Sequence, residues 1–338
     1  MLPPGSQVPL ISAPMAGGAG GVRLATAVGR AGATGFLAGG YKSADALAAE
    51  IAEMHHASVP FGVNLFAPRP TPIGADDFAR YTSRIAGDLE HHGAVPDGGP
   101  VEDDDGWAAK IEVLCAMPVP VVSFTFGLPD RDGLDRLRRS GARLWQSVTT
   151  VGEARAAAEA GMDALVVQAG AAGGHSAAFD PWRAPSAVAL PELVAGIRHA
   201  TDLPIAAAGG VADAADVVAA VRAGADAVVV GTALLRSPEA GTGAVHRAAL
   251  ADPGRHDTVL TRAFTGRPAR ALVNAFTRRH SGYAPVGYPA VHHLTRAMRA
   301  AAAAAGDVDR VHLWAGTGFR HATDDPAAEI ITRLAARL

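Results

Sequence analysis

Short apolar runs alternate with amphipathic stretches along most of the chain, and one junction between them recurs. A helix-like segment closes on a small residue and a glycine, and an apolar run follows at once. The junctions are Ala31-Gly32-Ala33-Thr34-Gly35, Ser140-Gly141-Ala142-Arg143-Leu144, Ala160-Gly161-Met162-Asp163-Ala164 and Ala223-Gly224-Ala225-Asp226-Ala227. Glycine takes the left-handed position after a helix, and a short apolar run becomes a strand buried on both faces. Such strands belong to parallel sheets, because crossover helices cover both sides.

The pattern predicts strands at Leu10–Met15, Thr34–Ala38, Phe61–Leu65, Val119–Thr125, Arg143–Val148, Ala164–Gln168, Pro204–Ala208 and Ala227–Val230. Helices fall between most of them, for example at Ser43–His56, Gly152–Ala160 and Asp213–Ala223. This alternation predicts an α/β fold, a closed (β/α)8 TIM barrel. An open doubly wound sheet would want a GxGxxG turn after its first strand, and Gly17-Gly18-Ala19-Gly20-Gly21 is off that spacing.

Two segments break the alternation. Residues 66–118 hold Pro68, Pro70 and Pro72 and then an acidic stretch through Asp103-Asp104-Asp105-Gly106, which reads as a polar insertion after the third strand with one or two helices. The expected division is a barrel over 1–240 and a helical C-terminal extension over 241–338, packed over the barrel mouth.

Composition narrows the function classes. Apolar residues make up 49% and charged residues 19%, which suits a large buried core; aromatics are only 5%, so Ala, Val and Leu must fill most of it. A net charge of −3 offers no basic face for nucleic acid and no polybasic membrane anchor. The lone Cys115 excludes a disulfide framework and a cysteine-built metal site. Met1 to Pro9 lacks a signal-peptide pattern and no apolar run reaches membrane-spanning length, so a cytoplasmic protein is expected. The oligomeric state is left open, with a homodimer as one option.

In a barrel of this kind the working residues sit where strands end. The first strand ends in Ala13-Pro14-Met15, where small residues let backbone amides approach a flat ligand. The third ends in Asn64, the sixth in Gln168, and the loop after the sixth runs to Gly173-Gly174-His175. Gly209-Gly210 follows the seventh strand, and Val230-Gly231-Thr232 closes the eighth. Two glycine turns at the seventh and eighth positions, each expected to open a helix, would converge amides and helix dipoles on a phosphate. His175, on a flexible loop above Gln168, is the candidate proton acceptor. His55-His56, His91-His92 and His292-His293 read as solvated residues, and no set of His, Asp and Glu has metal-ligand spacing.

These stretches, in this order, resemble the nitronate monooxygenase family, formerly called 2-nitropropane dioxygenases. The resemblance is carried by Ala13-Pro14-Met15-Ala16-Gly17, Pro60 to Phe66, Gln168 to His175, Pro204 to Val211 and Gly231-Thr232-Ala233-Leu234-Leu235. Phe264 to Arg270 and Leu313 to Gly316 add to it downstream. It implies an FMN-dependent oxidoreductase that uses O2 to turn an alkyl nitronate or nitroalkane into a carbonyl compound and nitrite. Asn64, Gln168, Gly173, Gly210, Gly231 and Thr232 match the family's FMN-contacting positions, and His175 matches the histidine near flavin and substrate. Several neighbours depart from the family pattern: Ala169, Ala171, Ser176 and Ala177 replace Gly, Glu, Arg and Gly, and Thr125 replaces a histidine. Two alternatives therefore stand beside it, an FMN-dependent enoyl-thioester reductase using NAD(P)H and a non-catalytic flavin-binding paralogue. An IMP-dehydrogenase-like barrel would need a cysteine in its catalytic loop, and Cys115 precedes the fourth strand.

Overall fold

The structure is a computed structural model that describes residues 2–3, 5–68, 71–94 and 98–338; Pro70 of the proline-rich stretch lies outside them. Eight parallel strands form the central sheet: β1 Leu10–Ser12, β2 Gly35–Ala38, β3 Phe61–Phe66, β4 Val121–Thr125, β5 Arg143–Val148, β6 Ala164–Gln168, β7 Ile205–Ala208 and β8 Ala227–Val230. Each pairs with its sequence neighbour from β2 to β8, and β8 pairs with β1 in the register Leu10↔Val228. Thr34 closes the ring, donating its N–H to Leu10 O and accepting from Ser12 N, both at 2.9 Å. Ser12 Oγ extends the closure by accepting from Phe36 N at 3.0 Å. The expected TIM barrel is the observed fold.

Prolines set where several strands begin. Pro9, Pro60, Pro120 and Pro204 each precede a strand, and each carbonyl accepts a bond from the neighbouring strand: from Val228, Gly35, Arg143 and Leu165 respectively. Proline lacks the N–H that a ladder position needs, so pairing starts one residue later. That accounts for β4 and β7 beginning after Pro120 and Pro204, whereas the expected strands ran through Pro120 and began on Pro204. Pro14 likewise ends β1 at Ser12, three residues short of the expected Met15.

The recurrent glycines do what their position implies. Gly32, Gly141, Gly161 and Gly224 all have positive φ, from 75° to 108°, immediately after a helix end. Inside the barrel, Ile11, Val121, Val229 and several alanines pack around two large rings, Phe36 and Trp145, whose centroids are 5.7 Å apart. A Cβ on Gly62 would sit 2.5 Å from the Phe36 ring, so the small residue on β3 makes room for the large one on β2.

After β8 the chain makes only a 3-10 turn, Thr232–Leu234, and leaves the barrel. It returns with the helix Ala327–Ala335, which packs against Val22–Arg30 and Ala214–Arg222 and completes the helical ring. Its Ala327, Ile330, Ile331 and Leu334 join the main core. Between these points lie the helices Ala244–Ala251, Ala275–His280 and Ala290–Ala305 and an antiparallel hairpin, Thr258–Thr261 with Ala269–Leu272. The insertion contributes helix Ala75–His91, whose Phe78, Tyr81, Ile85 and Leu89 share a second core with Phe264, Phe276, Val291 and Met298. This part of the insertion and the extension thus form one cap, whereas the insertion's second helix, Trp107–Ala116, packs between Ala44–Ala57 and Arg131–Arg139 in the helical ring and puts Trp107, Ile111 and Leu114 into the main core. Among the described residues, no helix is long and apolar enough to cross a membrane.

Candidate active site

A cavity of about 820 Å³ lies between the carboxyl ends of the strands and the cap. Ala13, Pro14, Met15, Asn64, Gln168, Gly173, Gly174, His175, Gly209, Gly210, Gly231 and Thr232 all line it. Val230 does not: its side chain joins the core between strands and helices, while its neighbour Val229 points inward. Strand alternation is the reason, since successive side chains face opposite sides.

Polar side chains from adjacent strands form the floor. Asn64 Nδ2 on β3 donates to Ser123 Oγ at 2.9 Å and to Thr125 Oγ1 at 3.0 Å, and Thr125 Oγ1 lies 3.4 Å from Ser147 Oγ on β5. Thr125, where the family pattern has a histidine, is therefore a working member of this row. Gln168 is bound at both ends of its amide: Nε2 donates to His175 O at 3.1 Å, and Oε1 accepts from Ala177 N at 2.8 Å. It fixes the loop that carries His175.

That loop is also held from the cap. Gly174–His175 forms a short strand antiparallel to Ala269–Leu272, in the register Ala269↔His175. His175 Nε2 is 2.9 Å from Thr265 Oγ1, and Nδ1 has no partner among the described residues. Phe126, Tyr288 and Trp314 surround the imidazole with ring centroids at 5.7, 5.9 and 5.5 Å. Burial, with the charges of Arg267 and Arg299 added, pushes its pKa down to about 3. The ring is neutral at ordinary pH and can accept a proton, and a bound anion that offset the arginines would raise its basicity.

Against Ala171 and Ala172 of the same loop, Gly209 and Gly210 have φ of +109° and +81°. A Cβ on Gly209 would come within 2.9 Å of Ala169 O, and one on Gly231 within 3.2 Å of Ala13 Cβ. No turn or loop bond takes up the amides of Gly210, Val211, Gly231 or Thr232 among the described residues. The expectation that both glycine turns open helices needs correction. Helix Ala214–Arg222 starts four residues after Gly210 and is capped by Asp213, which accepts from Ala215 N and Asp216 N; only a 3-10 turn follows Gly231. The anion-ready feature is thus a cluster of free loop amides, not two helix dipoles. Thr232 Oγ1 accepts from Gly316 N at 2.9 Å and ties the cap to this wall.

Several cavity residues escaped the sequence reading, among them Tyr41, Lys42 and Ser147 of the barrel, Asp103 and Asp105 of the insertion and a larger group from the C-terminal extension. Tyr41 and Tyr288 face the cavity, and Tyr41 stacks on His292 at 4.2 Å with 3° between the planes. Burial pushes the Tyr41 hydroxyl up to about 12. His292, read as solvated, is buried and receives a bond from Arg299 Nη2 to Nδ1 at 3.1 Å. Its partner in that reading, His293, pairs with Asp103 at 2.7 Å, and Asp105 sits 2.7 Å from the buried Lys110. The acidic run of the insertion therefore stands at the cavity mouth. Elsewhere the fold brings His91, His92 and Asp307 within 4.8 Å of one another, but Asp307 Oδ2 is also held by Arg310 at 2.7 Å.

A closed barrel with a large cavity at its carboxyl ends, an amide cluster on one wall and a neutral histidine on the adjoining loop defines a TIM-barrel enzyme site ready for an anionic ligand. The comparisons agree on which one. The family model for nitronate monooxygenase matches residues 6–337, and the chain belongs to that family. A probable nitronate monooxygenase of Bacillus subtilis (strain 168) is 36% identical over 323 residues, covering 94% of this chain and 92% of the relative. Nitroalkane oxidase from Streptomyces ansochromogenes superposes with a TM-score of 0.92 at 45% identity, over 100% of this chain and 96% of that one. FabK from Thermotoga maritima is more distant, with a TM-score of 0.74 and 25% identity over 97% of this chain and 91% of its own.

Proposed function

We propose that the protein binds FMN in this cavity and oxidises an alkyl nitronate or nitroalkane with O2 to a carbonyl compound and nitrite. The observation that carries the reading is His175, neutral, enclosed by three aromatic rings and aimed over a polar floor. The names of its relatives, a probable nitronate monooxygenase and a nitroalkane oxidase, support the substrate class.

The residues present fit the cofactor. Unbonded amides at Gly210, Val211, Gly231 and Thr232 suit a phosphate, in a wall where added Cβ atoms would intrude. Ala13, Pro14 and Met15 offer a low surface for a flat ring, and Asn64 and Gln168 supply polar edges. When bound, the flavin supplies the electron acceptor for the substrate carbon. The chain does the rest. Thr265 holds His175 Nε2, leaving Nδ1 to take the α-proton of a neutral nitroalkane. Phe126, Tyr288 and Trp314 keep water away from that nitrogen.

The barrel, 1–240 completed by the helix Ala327–Ala335, and the extension between them act as one catalytic unit in this reading, supported by the strand pairing of His175 with Ala269. A cytoplasmic setting belongs to the same reading and is supported by the single cysteine. The test is a visible spectrum of the purified protein followed by nitrite release from an alkyl nitronate in air. A colourless protein that stays so with added FMN removes the cofactor. A yellow protein that NADPH bleaches under anaerobic conditions, and that ignores nitronates, replaces the oxidase with a reductase.

A further inference from the structure

The cavity wall contributed by helix Ala290–Ala305 holds a buried arginine with no acidic partner. Arg299 is 6% exposed, forms no ion pair among the described residues, and has Tyr41, Tyr288 and Arg296 as its electrostatic neighbours. Its guanidinium is used on neutral acceptors instead. Nε donates to Thr295 Oγ1 at 3.0 Å, Nη2 to His292 Nδ1 at 3.1 Å and His292 O at 3.0 Å, and Nη1 to His312 Nδ1 at 3.4 Å.

Those bonds decide the state of two more side chains. A guanidinium can only donate, so both Nδ1 atoms accept, and each neutral ring must carry its proton on Nε2. Burial, with Arg299 beside them, holds both rings far below the ordinary histidine range, so neither is a cation. His292 and His312 line the cavity with Arg299, and neither Nε2 has a partner among the described residues. Tyr41, stacked on His292, fixes that ring's plane. The wall is thus a cluster of donors around one uncompensated positive charge. Burying a charge without a counter-charge is costly, and a counter-charge can enter from the cavity that Arg299 lines.

We propose that Arg299, His292 and His312 form an anion-binding subsite for a negatively charged group of the substrate, a nitronate or a carboxylate. Arg299 supplies the charge and its one remaining Nη1 N–H, and the unpartnered Nε2–H groups of His292 and His312 supply two further donors along the same wall. The subsite is separate from the amide cluster at Gly209–Gly210 and Gly231–Thr232. It lies on the His175 side, where the Arg299 charge lowers the proton affinity of that ring. An anion seated there would offset Arg299 and make His175 a better base, linking substrate binding to proton removal. The inference deepens the proposed function and rests on it for the identity of the substrate, not for the existence of the subsite.

The test is calorimetric titration of the purified, flavin-containing protein with sodium nitrate and with sodium butanoate at constant ionic strength. Both anions bind saturably to the wild type, and Arg299→Gln weakens them by about tenfold or more, the loss expected for a charge-assisted pair. Arg299→Lys restores part of the affinity. Should Arg299→Gln fail to fold, His312→Phe keeps an aromatic ring and loses one donor, with about threefold weaker binding expected. Wild-type affinity in His312→Phe together with Arg299→Gln, or no binding to the wild type, overturns the subsite.

Two substrates then separate the sources of the anion. If the reacting group sits there, Arg299→Gln lowers kcat/KM equally for 1-nitrobutane and 4-nitrobutanoate. If a remote carboxylate sits there, only 4-nitrobutanoate suffers. Unchanged kcat/KM for both overturns the inference while leaving the oxidase standing. Absence of turnover on any nitro compound removes the proposed function, and the anion titration still decides the subsite.

Discussion

His175 Nε2 and Thr265 Oγ1 lie 2.9 Å apart, one on the loop after the sixth barrel strand and the other in the hairpin turn of the extension. The ring's remaining nitrogen is aimed by a residue ninety positions away in the chain. His175→Asn should lower turnover of neutral nitroalkanes by about 10²–10⁴ while the flavin stays bound, since general-base catalysis contributes on that scale. Preformed nitronates, which have no α-proton to lose, should suffer much less. Thr265→Val keeps the shape and removes the hydroxyl, so a loss on the order of tenfold to a hundredfold in kcat is expected. Steady-state rates on a nitroalkane and on its nitronate, side by side, check both; equal losses on the two substrates would contradict the role as base.

Acid sensitivity should follow from the buried rings. Burial lowers His175 to about 3 and His246 to about 4, and holds His292 and His312 well below the ordinary histidine range. In the unfolded chain these groups titrate near 6.5, so between about 4 and 6.5 the unfolded state binds more protons. Stability is therefore full above that window and falls as pH drops through it. Each fully shifted ring contributes at most roughly 1.4 kcal/mol per pH unit there. Glu102 and Asp105, raised by burial, act in the opposite sense but are two groups against these four rings and His280, which burial also lowers. Urea midpoints at pH 7.5, 6.0 and 5.0 should decline in that order, and a flat series would show that the rings are not buried as neutral groups.

The barrel was legible because its signals are local. Each Gly that ends a helix and each Pro that precedes a strand acts through its own backbone, within a few residues of the element it bounds. The floor and the amide wall were legible too, because strand ends converge in any closed barrel. The donor wall was not, since it comes from a cap whose position over the mouth no local pattern fixes. One clue was present: His292, Thr295 and Arg299 stand at i, i+3 and i+7 of an alanine-rich helix, a polar stripe on one face. The eighth helix of the ring was hidden similarly. Its apolar spacing at Ala327, Ile330, Ile331 and Leu334 is plain, but residues 231–326 separate it from the strand it follows in space.

The glycine wall should tolerate no side chain. Gly209→Ala places a Cβ 2.9 Å from Ala169 O and 3.1 Å from Ala172 Cβ, at a φ of +109° that an L-residue rarely adopts. Neither neighbour is the end of a flexible side chain, so the loop must shift. The backbone conformation alone costs about 1–2 kcal/mol. The larger effect should be on the cofactor, because the displaced loop carries the Gly210 and Val211 amides. Flavin content after purification and gel filtration measures it, and a fully loaded Gly209→Ala protein would remove the amide cluster from the binding site. Gly141→Ala is the control. It also has positive φ but nothing within 4 Å of its Cβ, so it should lose stability and keep its flavin.

The cap should depend on one carboxylate. Asp88, on helix Ala75–His91 of the insertion, accepts from His280 Nε2 at 2.7 Å and Arg310 Nε at 2.8 Å and is bonded to Arg279. Burial pushes its carboxyl up, but the His280 bond and the two arginines outweigh burial and leave it below the usual range. The same carboxylate thus joins the insertion to two separate parts of the extension. Breaking a fully buried pair costs about 3–5 kcal/mol, and Arg279 and Arg310 are exposed enough to turn partly to water, so Asp88→Asn should lose somewhat less. Because the insertion and extension share a core that does not include the barrel, the loss should concentrate in the cap. Limited proteolysis should cut within the cap of Asp88→Asn before the barrel strands are touched, and flavin should leave at lower temperature than in the wild type. Asp77→Asn, which removes an exposed pair with Arg80 on the same helix, should change neither, because pairs in water contribute about 0–1 kcal/mol. If both variants unfold in a single step indistinguishable from wild type, the cap is not clamped through Asp88.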